Sequence, residues 1–442
     1  MINPDKTARR EGYYWVSDFN FRPEVVEKFD WPTPLEFVDS TLRKTLFTAG
    51  TVTSMAGFET IAEALVETGI RHESLNVNWA GGPQPIPREW ELCRTIARRD
   101  WGFKLNVYAD AFLPHGGVPQ MVSPHEAVER VVELGARVLA PGIVETATLD
   151  EQKRQLDDLA DFVEFAHGLG AEVTITLAQV GRRDFDRLVE VSNRAVELGV
   201  RRLDLMDSTS SLSPDAMRAF VLAYRAALAG DPTVSMHAHD DFGLGTATTI
   251  AAVGAGAWPD TSIAGVSYRA GFAPLEEVAV SLEVLYGVET GIRLEKLQPL
   301  ADLVAAEMGL PIPPLKPLVG KYAFLRHMPG DVTACLNNGL DAFPPVSSCV
   351  SPGVIGSEMS WVWDSLTTDA MAQALGRSLG AEMSDGDVAA VRKALDDQVA
   401  ARGSYPRWLT ADEATEICRD VLDRRRARSD VGGSAADGGD AR

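Results

Sequence analysis

The chain alternates short apolar segments with amphipathic ones over residues 35–287, and this rhythm constrains the fold more than any other feature. Short apolar runs predict buried strands of a parallel sheet, and the amphipathic stretches between them predict helices that cover the sheet. Between the first two runs, Phe58, Ile61 and Leu65 recur at helical spacing, and Gly69 follows where the helix ends. The pattern predicts strands at residues 35–39, 73–77, 103–107, 137–140, 172–175, 202–206, 233–237 and 261–265.

Eight strand and helix units in one stretch predict a closed (β/α)8 barrel, an α/β fold whose active site lies at the carboxyl ends of the strands. An open doubly wound sheet is the alternative, and it is disfavoured because no glycine-rich phosphate turn follows the first strand. The composition of the remaining segments suggests further divisions of the chain. We predict an N-terminal extension (1–33), the barrel (34–310), a lid or linker (311–365), a mainly helical C-terminal domain (366–427) and a disordered tail (428–442).

Length and charge limit the classes of partner. At 442 residues the chain is long enough for a barrel and an appended domain. The formal net charge of −21 argues against a nucleic acid or an anionic membrane as partner. The four cysteines are widely separated without a Cys-x-x-Cys pair, which is typical of buried thiols. No apolar run approaches the roughly 20 residues of a membrane helix, and no secretory signal is recognisable. We therefore expect a cytoplasmic protein.

Two histidines, His237 and His239, lie two residues apart at the end of the seventh predicted strand. Successive side chains of a strand point to opposite faces, so both imidazoles point the same way and can converge on one metal ion or one anion. Neutral imidazole is a common metal ligand. The alternative is two unrelated histidines that bond to polar neighbours. Asp240 follows directly, and we expect its carboxylate to orient one imidazole.

Polar side chains follow several other predicted strands, and a closed barrel would bring them into one mouth. Arg43 has a planar guanidinium suited to a carboxylate or oxyanion, and Lys44 follows it with a second positive charge. His115, in the loop after the third strand, is placed to reach the same mouth. Candidate substrate-binding residues at other strand ends are Asp39, Gln179, Arg182, Asp207, Ser208 and Arg269.

Three motifs resemble the metal-dependent barrel enzymes that include 2-isopropylmalate synthase, homocitrate synthase and hydroxymethylglutaryl-CoA lyase. Residues 39–43 (Asp-Ser-Thr-Leu-Arg) resemble the opening Asp-Thr-Thr-Leu-Arg of that family. Residues 237–241 (His-Ala-His-Asp-Asp) resemble its His-x-His-Asn-Asp, and residues 269–271 (Arg-Ala-Gly) begin its Arg-Ala-Gly-Asn motif. The resemblance covers residues 37–320 and continues more weakly through the C-terminal helices.

The resemblance implies a TIM barrel that condenses acetyl-CoA with a 2-oxo acid, or catalyses the related cleavage. A divalent metal (Mg, Mn or Zn) would be held in part by His237 and His239 and would bind the small carboxylate substrate. If no metal is bound, the two histidines would be proton-transfer groups. A base would remove a proton from the acetyl methyl group. His327 lies near the position of a catalytic histidine of the synthases. A homodimer is also implied, because the family's C-terminal extension usually covers the barrel of the partner subunit.

Several residues of the family pattern are replaced in this chain. Lys44 stands where the family has an Asp or Glu metal ligand, and Phe272 stands where it has Asn. Ala178 and Gln179 replace a Glu-Asp pair, and Asp331 or Val332 falls at the catalytic histidine. At an effective dielectric constant of about 20, two unit charges about 4 Å apart interact by about 4 kcal/mol. Exchanging a carboxylate for an ammonium removes an attraction and adds a repulsion, so the free energy of metal binding becomes less favourable by about twice this amount.

Three roles for Lys44 stay open at this point. Its ammonium can occupy the metal's place and bind a substrate carboxylate or oxyanion. Its amine, with a pKa lowered by Arg43, can form a Schiff base. It can also turn to solvent and take no part in catalysis. We expect an acyltransferase that joins an acyl-CoA to a small 2-oxo acid. The alternatives are a metal-independent lyase or aldolase that uses Lys44, and a barrel without catalysis that serves as a binding or scaffolding subunit.

Overall fold

The computed structural model describes residues 7–79, 83–99, 101–109, 122–403, 405 and 407–433. Each barrel strand pairs in parallel with the next one along the chain, and the eighth pairs with the first through Asp260 opposite Val38, which closes the ring. The fifth strand is split into two short segments. The predicted closed eight-stranded barrel is confirmed. Its strands are Val38–Asp39, His72–Asn76, Lys104–Ala109, Val138–Ile143, Glu172–Val173 with Ile175–Leu177, Arg202–Asp207, Thr233–Ala238 and Trp258–Thr261.

The eighth strand begins earlier than predicted. It spans Trp258–Thr261, whereas most of the apolar run assigned to it at 261–265 forms the short 3-10 helix Ile263–Gly265. Ala264 has a φ of +53°, which an extended strand cannot accommodate. The true strand contains a proline and an aspartate, two residue types that are depleted in strands. Tertiary pairing with both neighbouring strands therefore overrides local preference here.

The helices between the strands follow the amphipathic pattern. Met55–Thr68, for example, begins where the Ser54 hydroxyl accepts from the Gly57 N–H, and it ends at Gly69 with a φ of +109°.

Among the described residues, no helix combines the length and the apolar character that crossing a lipid bilayer requires. The helices of the barrel unit are Pro23–Val26, Thr41–Phe47, Met55–Thr68, Pro87–Arg98, Pro124–Leu134, Leu149–Gly168, Phe185–Glu197, Pro214–Ala227, Gly245–Val253, Leu275–Leu285 and Leu297–Met308.

Residues 9–16 and the chain from 313 onward form a second compact unit, and 17–312 belong to the barrel unit. The core of the second unit includes Val332 and Trp363, so part of the region predicted as a lid or linker is packed with the C-terminal helices. The last helix extends to Gly433, past the predicted boundary at residue 427. The elements of this unit are the strands Arg9–Arg10, Tyr14–Trp15, Leu325–Arg326, Ser360–Trp363 and Leu409–Thr410, and the helices Pro329–Asn338, Asp369–Ser378, Asp385–Ala401 and Ala411–Gly433.

Candidate functional site

A cavity of about 460 Å³ lies at the carboxyl ends of the barrel strands. Five strands each contribute two lining residues that are two positions apart, as expected when alternate side chains of a strand point inward. The first and eighth strands contribute residues from the segments that follow them. The lining residues are Arg43, Lys44, Phe47, Asn76, Asn78, Tyr108, Ala140, Gly142, Thr176, Ala178, Met206, Ser208, His237, His239 and Tyr268.

Two adjacent cations are buried at this cavity. Arg43 and Lys44 lie in the helix Thr41–Phe47 and are only 8 % and 2 % exposed. The Arg43 guanidinium carbon lies 4.3 Å from the centroid of the Tyr108 ring, and Arg43 Nε and Nη1 have no hydrogen-bond partner in the described part of the chain. Within the part of the chain that the structure describes, neither Arg43 nor Lys44 forms an ion pair with a carboxylate. Burial lowers the pKa of Lys44 well below its ordinary value, Arg43 lowers it further, and Asp260 opposes both effects.

The two imidazoles lie beside these cations, with ring centroids 5.0 Å apart. His237 Nδ1 hydrogen-bonds to Asp260 Oδ2 at 2.9 Å, and His239 Nδ1 to the Gly271 carbonyl at 3.0 Å. Burial, followed by the charges of Lys44 and Arg43, lowers the pKa of His237 well below its ordinary value. Burial, His237 and Lys44 lower the pKa of His239 to about 2. Both shifts favour neutral rings. Because each Nδ1 contacts an acceptor, a neutral ring donates from Nδ1 and keeps Nε2 as an acceptor.

Three buried carboxyl groups lie near the histidines and the first strand. Asp260 Oδ1 accepts a hydrogen bond from Ser40 Oγ at 2.8 Å, and burial raises the pKa of Asp260 to about 6 while Arg43 opposes the rise. Asp39 Oδ1 accepts from the Thr41 N–H at 2.8 Å, and burial raises the pKa of Asp39 to about 7. Glu73 lies opposite Asp39 in the neighbouring strand, and burial followed by the Asp39 charge raises its pKa well above the ordinary value.

Five of the residues predicted for the site line the cavity together: Arg43, Lys44, Ser208, His237 and His239. The interpretation of Lys44 as a solvent-facing side chain is wrong, because the residue is buried.

Other predicted residues have local structural partners instead. The prediction that Asp240 orients an imidazole is wrong, because its Oδ1 accepts from the Gly245 N–H at 2.5 Å at the start of a helix. Asp260 and the Gly271 carbonyl orient the rings instead. Asp207 is fully buried and accepts from the backbone N–H groups of Ser211 and Leu212, which stabilises the turn after the sixth strand.

The remaining candidates do not line the cavity. Gln179 and Arg182 are exposed, although the Gln179 N–H donates to Ser208 Oγ at 3.2 Å. Arg269 donates from two nitrogens to the Asp241 carboxylate, both at 2.9 Å, and also to the Ser208 carbonyl. His327 belongs to the second unit, where it pairs with Asp364. His115 lies outside the described residues.

The lining residues that sequence reasoning missed include four polar ones on the barrel strands, and the carboxylate behind His237 was missed as well. The four, Asn76, Asn78, Tyr108 and Thr176, stand near the ends of their strands or just beyond them. Polar residues two apart at a strand end are the signal that would have found the two asparagines. Asp260 was missed because the eighth strand was placed too late along the chain.

The residues at the cavity do not fit a divalent metal held as the family resemblance implies. The two imidazoles have the tautomer of metal ligands, since an acceptor occupies each Nδ1. Lys44, a cation, stands where the family has its Asp or Glu metal ligand. Phe272 stands where the family has Asn, and its ring centroid lies 4.2 Å from that of His237. Within the described part of the chain, no group of three or more His, Cys, Asp or Glu side chains is arranged to hold a metal ion. Two nitrogen ligands beside an ammonium are a poor site for Mg²⁺ or Mn²⁺, which prefer oxygen.

A closed parallel barrel with a cavity at the carboxyl ends of its strands is the architecture of the TIM-barrel class. Residues 34–304 match the HMGL-like family, and the chain belongs to that family. The resemblance seen in the sequence is thus confirmed.

Named relatives are similar over most of the chain. A homocitrate synthase from Methanopyrus kandleri is 30 % identical over 412 residues, which cover 92 % of this chain and 98 % of the relative. A 2-isopropylmalate synthase from Caldanaerobacter subterraneus is 31 % identical over 308 residues, or 69 % of this chain and 76 % of the relative. The crystal structure of an HMG-CoA lyase from Bacillus subtilis has a TM-score of 0.53 at 19 % identity, covering 64 % of this chain and 96 % of that one, and shares the fold.

Proposed function

We propose that the chain is a synthase that forms a carbon–carbon bond between an acyl-CoA and a small 2-oxo acid. The observation that carries the proposal is the buried pair Arg43 and Lys44, which forms no ion pair or hydrogen bond with a carboxylate among the described residues. Asp260 acts on both side chains by charge alone, and one carboxylate does not balance two cations, so the cavity favours an anionic ligand. The names of the relatives, homocitrate synthase and 2-isopropylmalate synthase, support acyl-CoA-dependent condensation in general.

The proposed reaction joins two carbon atoms and releases CoA. The carbon next to the thioester carbonyl loses a proton and forms a bond to C2 of the oxo acid. The electron pair of the C2 carbonyl moves to its oxygen, which takes up a proton, and water cleaves the thioester to give a carboxylate and free CoA thiol. Arg43 is suited to the substrate carboxylate because its guanidinium can donate two parallel hydrogen bonds. The neutral imidazoles can accept a hydrogen bond from the new hydroxyl group. A proton-transfer role for His237 and His239 stays a prediction.

Release of CoA thiol tests this proposal directly. The purified chain is incubated with acetyl-CoA and, in turn, glyoxylate, pyruvate, 2-oxoisovalerate and 2-oxoglutarate, and free thiol and product mass are measured. We expect thiol release that depends on one or more of the oxo acids. Arg43→Met should raise the KM for the oxo acid by roughly 10- to 100-fold, because a charged hydrogen bond to the carboxylate is lost.

The matched control is Arg99→Met. Arg99 is an exposed arginine that pairs with Glu59 on the outside of the barrel unit, so its replacement should leave KM unchanged. Thiol release that is independent of any oxo acid, or an unchanged KM in Arg43→Met, would contradict the proposal. Absence of turnover together with absence of oxo acid binding in calorimetry would favour the scaffolding alternative.

A second candidate function is carbon–carbon cleavage through an imine on Lys44. The burial that lowers the pKa of Lys44 favours the neutral amine, which is the nucleophile of such chemistry. The amine would add to the substrate carbonyl and lose water to form the imine. Borohydride reduction in the presence of each oxo acid, followed by peptide mass analysis, would trap this species. An adduct on Lys44 would support the cleavage function over the condensation.

A further inference from the structure

The residue after Arg43 distinguishes this chain from the pattern of its family. By the resemblance in the sequence, an Asp or Glu metal ligand stands there, whereas this chain has Lys44. The side chain of Lys44 is 2 % exposed and lines the same cavity as His237 and His239. The cavity therefore contains the basic side chain of Lys44 where the family pattern has a carboxylate.

Aromatic rings surround this positive charge. Lys44 Nζ lies 5.1 Å from the centroid of the Tyr268 ring and 5.2 Å from that of Phe272, both within the range of cation–π attraction. The Phe47 ring is 6.0 Å away. No hydrogen-bond acceptor for Nζ is found in the described ranges of the chain. The rings offset part of the cost of burying an ammonium and leave its N–H groups without an acceptor.

Aromatic rings rather than further polar groups pack beside the two imidazoles. Phe272 is buried and stacks on His237, where the family pattern has Asn. Tyr268 lies 5.0 Å from the His239 ring and 5.1 Å from Lys44 Nζ, so one ring spans the histidine and the lysine. The groups that pack around the cation are thus aromatic rings, whereas Mg²⁺ and Mn²⁺ prefer oxygen ligands.

We propose that Lys44 takes the place of the divalent metal and that this chain binds and activates its 2-oxo acid without a metal. The inference rests on the proposed function. The negative charge of the bound oxo acid favours the charged form of Lys44, whose ammonium donates a hydrogen bond to the carbonyl oxygen while Arg43 holds the carboxylate. As the carbon–carbon bond forms, negative charge develops on that oxygen, and the positive charge of Lys44 stabilises it. Lys44 forms no covalent bond in this step.

Metal analysis and calorimetry on the full chain test the inference without relying on turnover. Wild-type protein purified without a chelator should contain no stoichiometric divalent metal. After EDTA treatment it should still bind pyruvate, and Mn²⁺ should change that affinity less than twofold. Lys44→Met should weaken pyruvate binding at least tenfold, and Lys44→Arg, which keeps the charge, should lose less. Lys44→Asp should bind Mn²⁺ that wild type does not bind, and Mn²⁺ should restore its pyruvate binding.

The control is Lys296→Met, which removes an exposed lysine paired with Glu67 and should bind pyruvate as wild type does. About one metal ion per wild-type chain with pyruvate binding lost in EDTA would overturn the inference, as would unchanged binding in Lys44→Met. A borohydride-trapped pyruvate adduct on Lys44 would also overturn it. Metal-free pyruvate binding that depends on Lys44, without thiol release from any acyl-CoA tested, would retain the cation site and reject the proposed condensation.

Discussion

Asp260 orients the imidazole of His237, which lies 23 positions earlier in the sequence. Its Oδ2 accepts from His237 Nδ1, and its Oδ1 accepts from Ser40 Oγ. This pair of contacts fixes the imidazole ring and its tautomer, so Nε2 remains an acceptor. The carboxylate also lies behind the two cations and opposes the lowering of the Lys44 pKa. A single buried acid thus supports both the histidine and the lysine.

Replacing Asp260 by Ala should release the His237 ring. We expect a 10- to 100-fold loss of kcat/KM in the thiol-release assay, the range that loss of a partner behind a functional histidine typically costs. Nitrogen-15 NMR of labelled histidine should show a mixture of tautomers in Asp260→Ala. Asp260→Asn keeps an oxygen that accepts from Nδ1, so it should keep one tautomer. An unmixed tautomer in the Ala variant would mean that other groups hold the ring.

At the scale of elements, the segment after the eighth strand positions the second imidazole. The Gly271 carbonyl accepts from His239 Nδ1 at 3.0 Å and from the Asp240 N–H at 3.1 Å. Gly271 has a φ of +86°, and a Cβ placed on it would lie 2.4 Å from the Gly265 carbonyl oxygen. The position therefore requires glycine for two reasons, its left-handed backbone and its close approach to Gly265.

Gly271→Ala should disturb both the fold and the site. The left-handed conformation costs a non-glycine residue about 1–2 kcal/mol, and the contact with Gly265 adds to this cost. Gly291→Ala is the matched control, because Gly291 has a φ of +73° with no atom within 4 Å of the added Cβ. We expect Gly271→Ala to lose more thermal stability than Gly291→Ala and to weaken pyruvate binding, measured by melting temperature and calorimetry. Equal losses in both variants would show that the backbone relaxes around the added methyl group.

At the scale of the whole molecule, the buried acid Asp39 links stability to pH. Its pKa is raised to about 7 in the folded state from an ordinary value of 3.8. The folded chain therefore holds this proton more tightly than the unfolded chain, and stability falls as pH rises from about 4 to about 7. A tenfold difference in proton affinity between the two states corresponds to about 1.4 kcal/mol, so the loss of stability across this window is of order a few kcal/mol.

Asp39→Asn should remove this dependence, because an amide does not ionise. The free energy of unfolding, measured by urea titration from pH 4.5 to 7.5, should fall more steeply with pH in wild type than in Asp39→Asn. The wild type and the variant should therefore differ most at the upper end of the range. Parallel curves would show that Asp39 is already ionised at pH 4.5.

The chain forms two compact units that divide near residue 312, whereas the predicted domain boundaries stay predictions. Residues 9–16 join the second unit. Their pairing explains this, because the Trp15 N–H donates to the Cys349 carbonyl at 2.8 Å. Such a contact between distant segments leaves no local signal in the sequence. A lid role for 311–365, a homodimer and a cytoplasmic location stay predictions.

Features that repeat with a short period could be predicted from the sequence alone. Alternation of apolar and amphipathic segments specified the eight units, and spacing by two put His237 and His239 on one face. The doublet of Arg43 and Lys44 was visible because it follows the first strand directly. These patterns lie within short segments of the sequence, so they can be recognised without a structure.

The groups that face each other could be identified only from the folded chain. Ser40 and Asp260 are 220 positions apart, and closure of the barrel between the first and eighth strands brings them into contact. The burial of Lys44 likewise depends on Tyr268 and Phe272, which come from the opposite end of the barrel sequence. Burial and hydrogen-bond partners are properties of distant segments packed together, so no local pattern contains them.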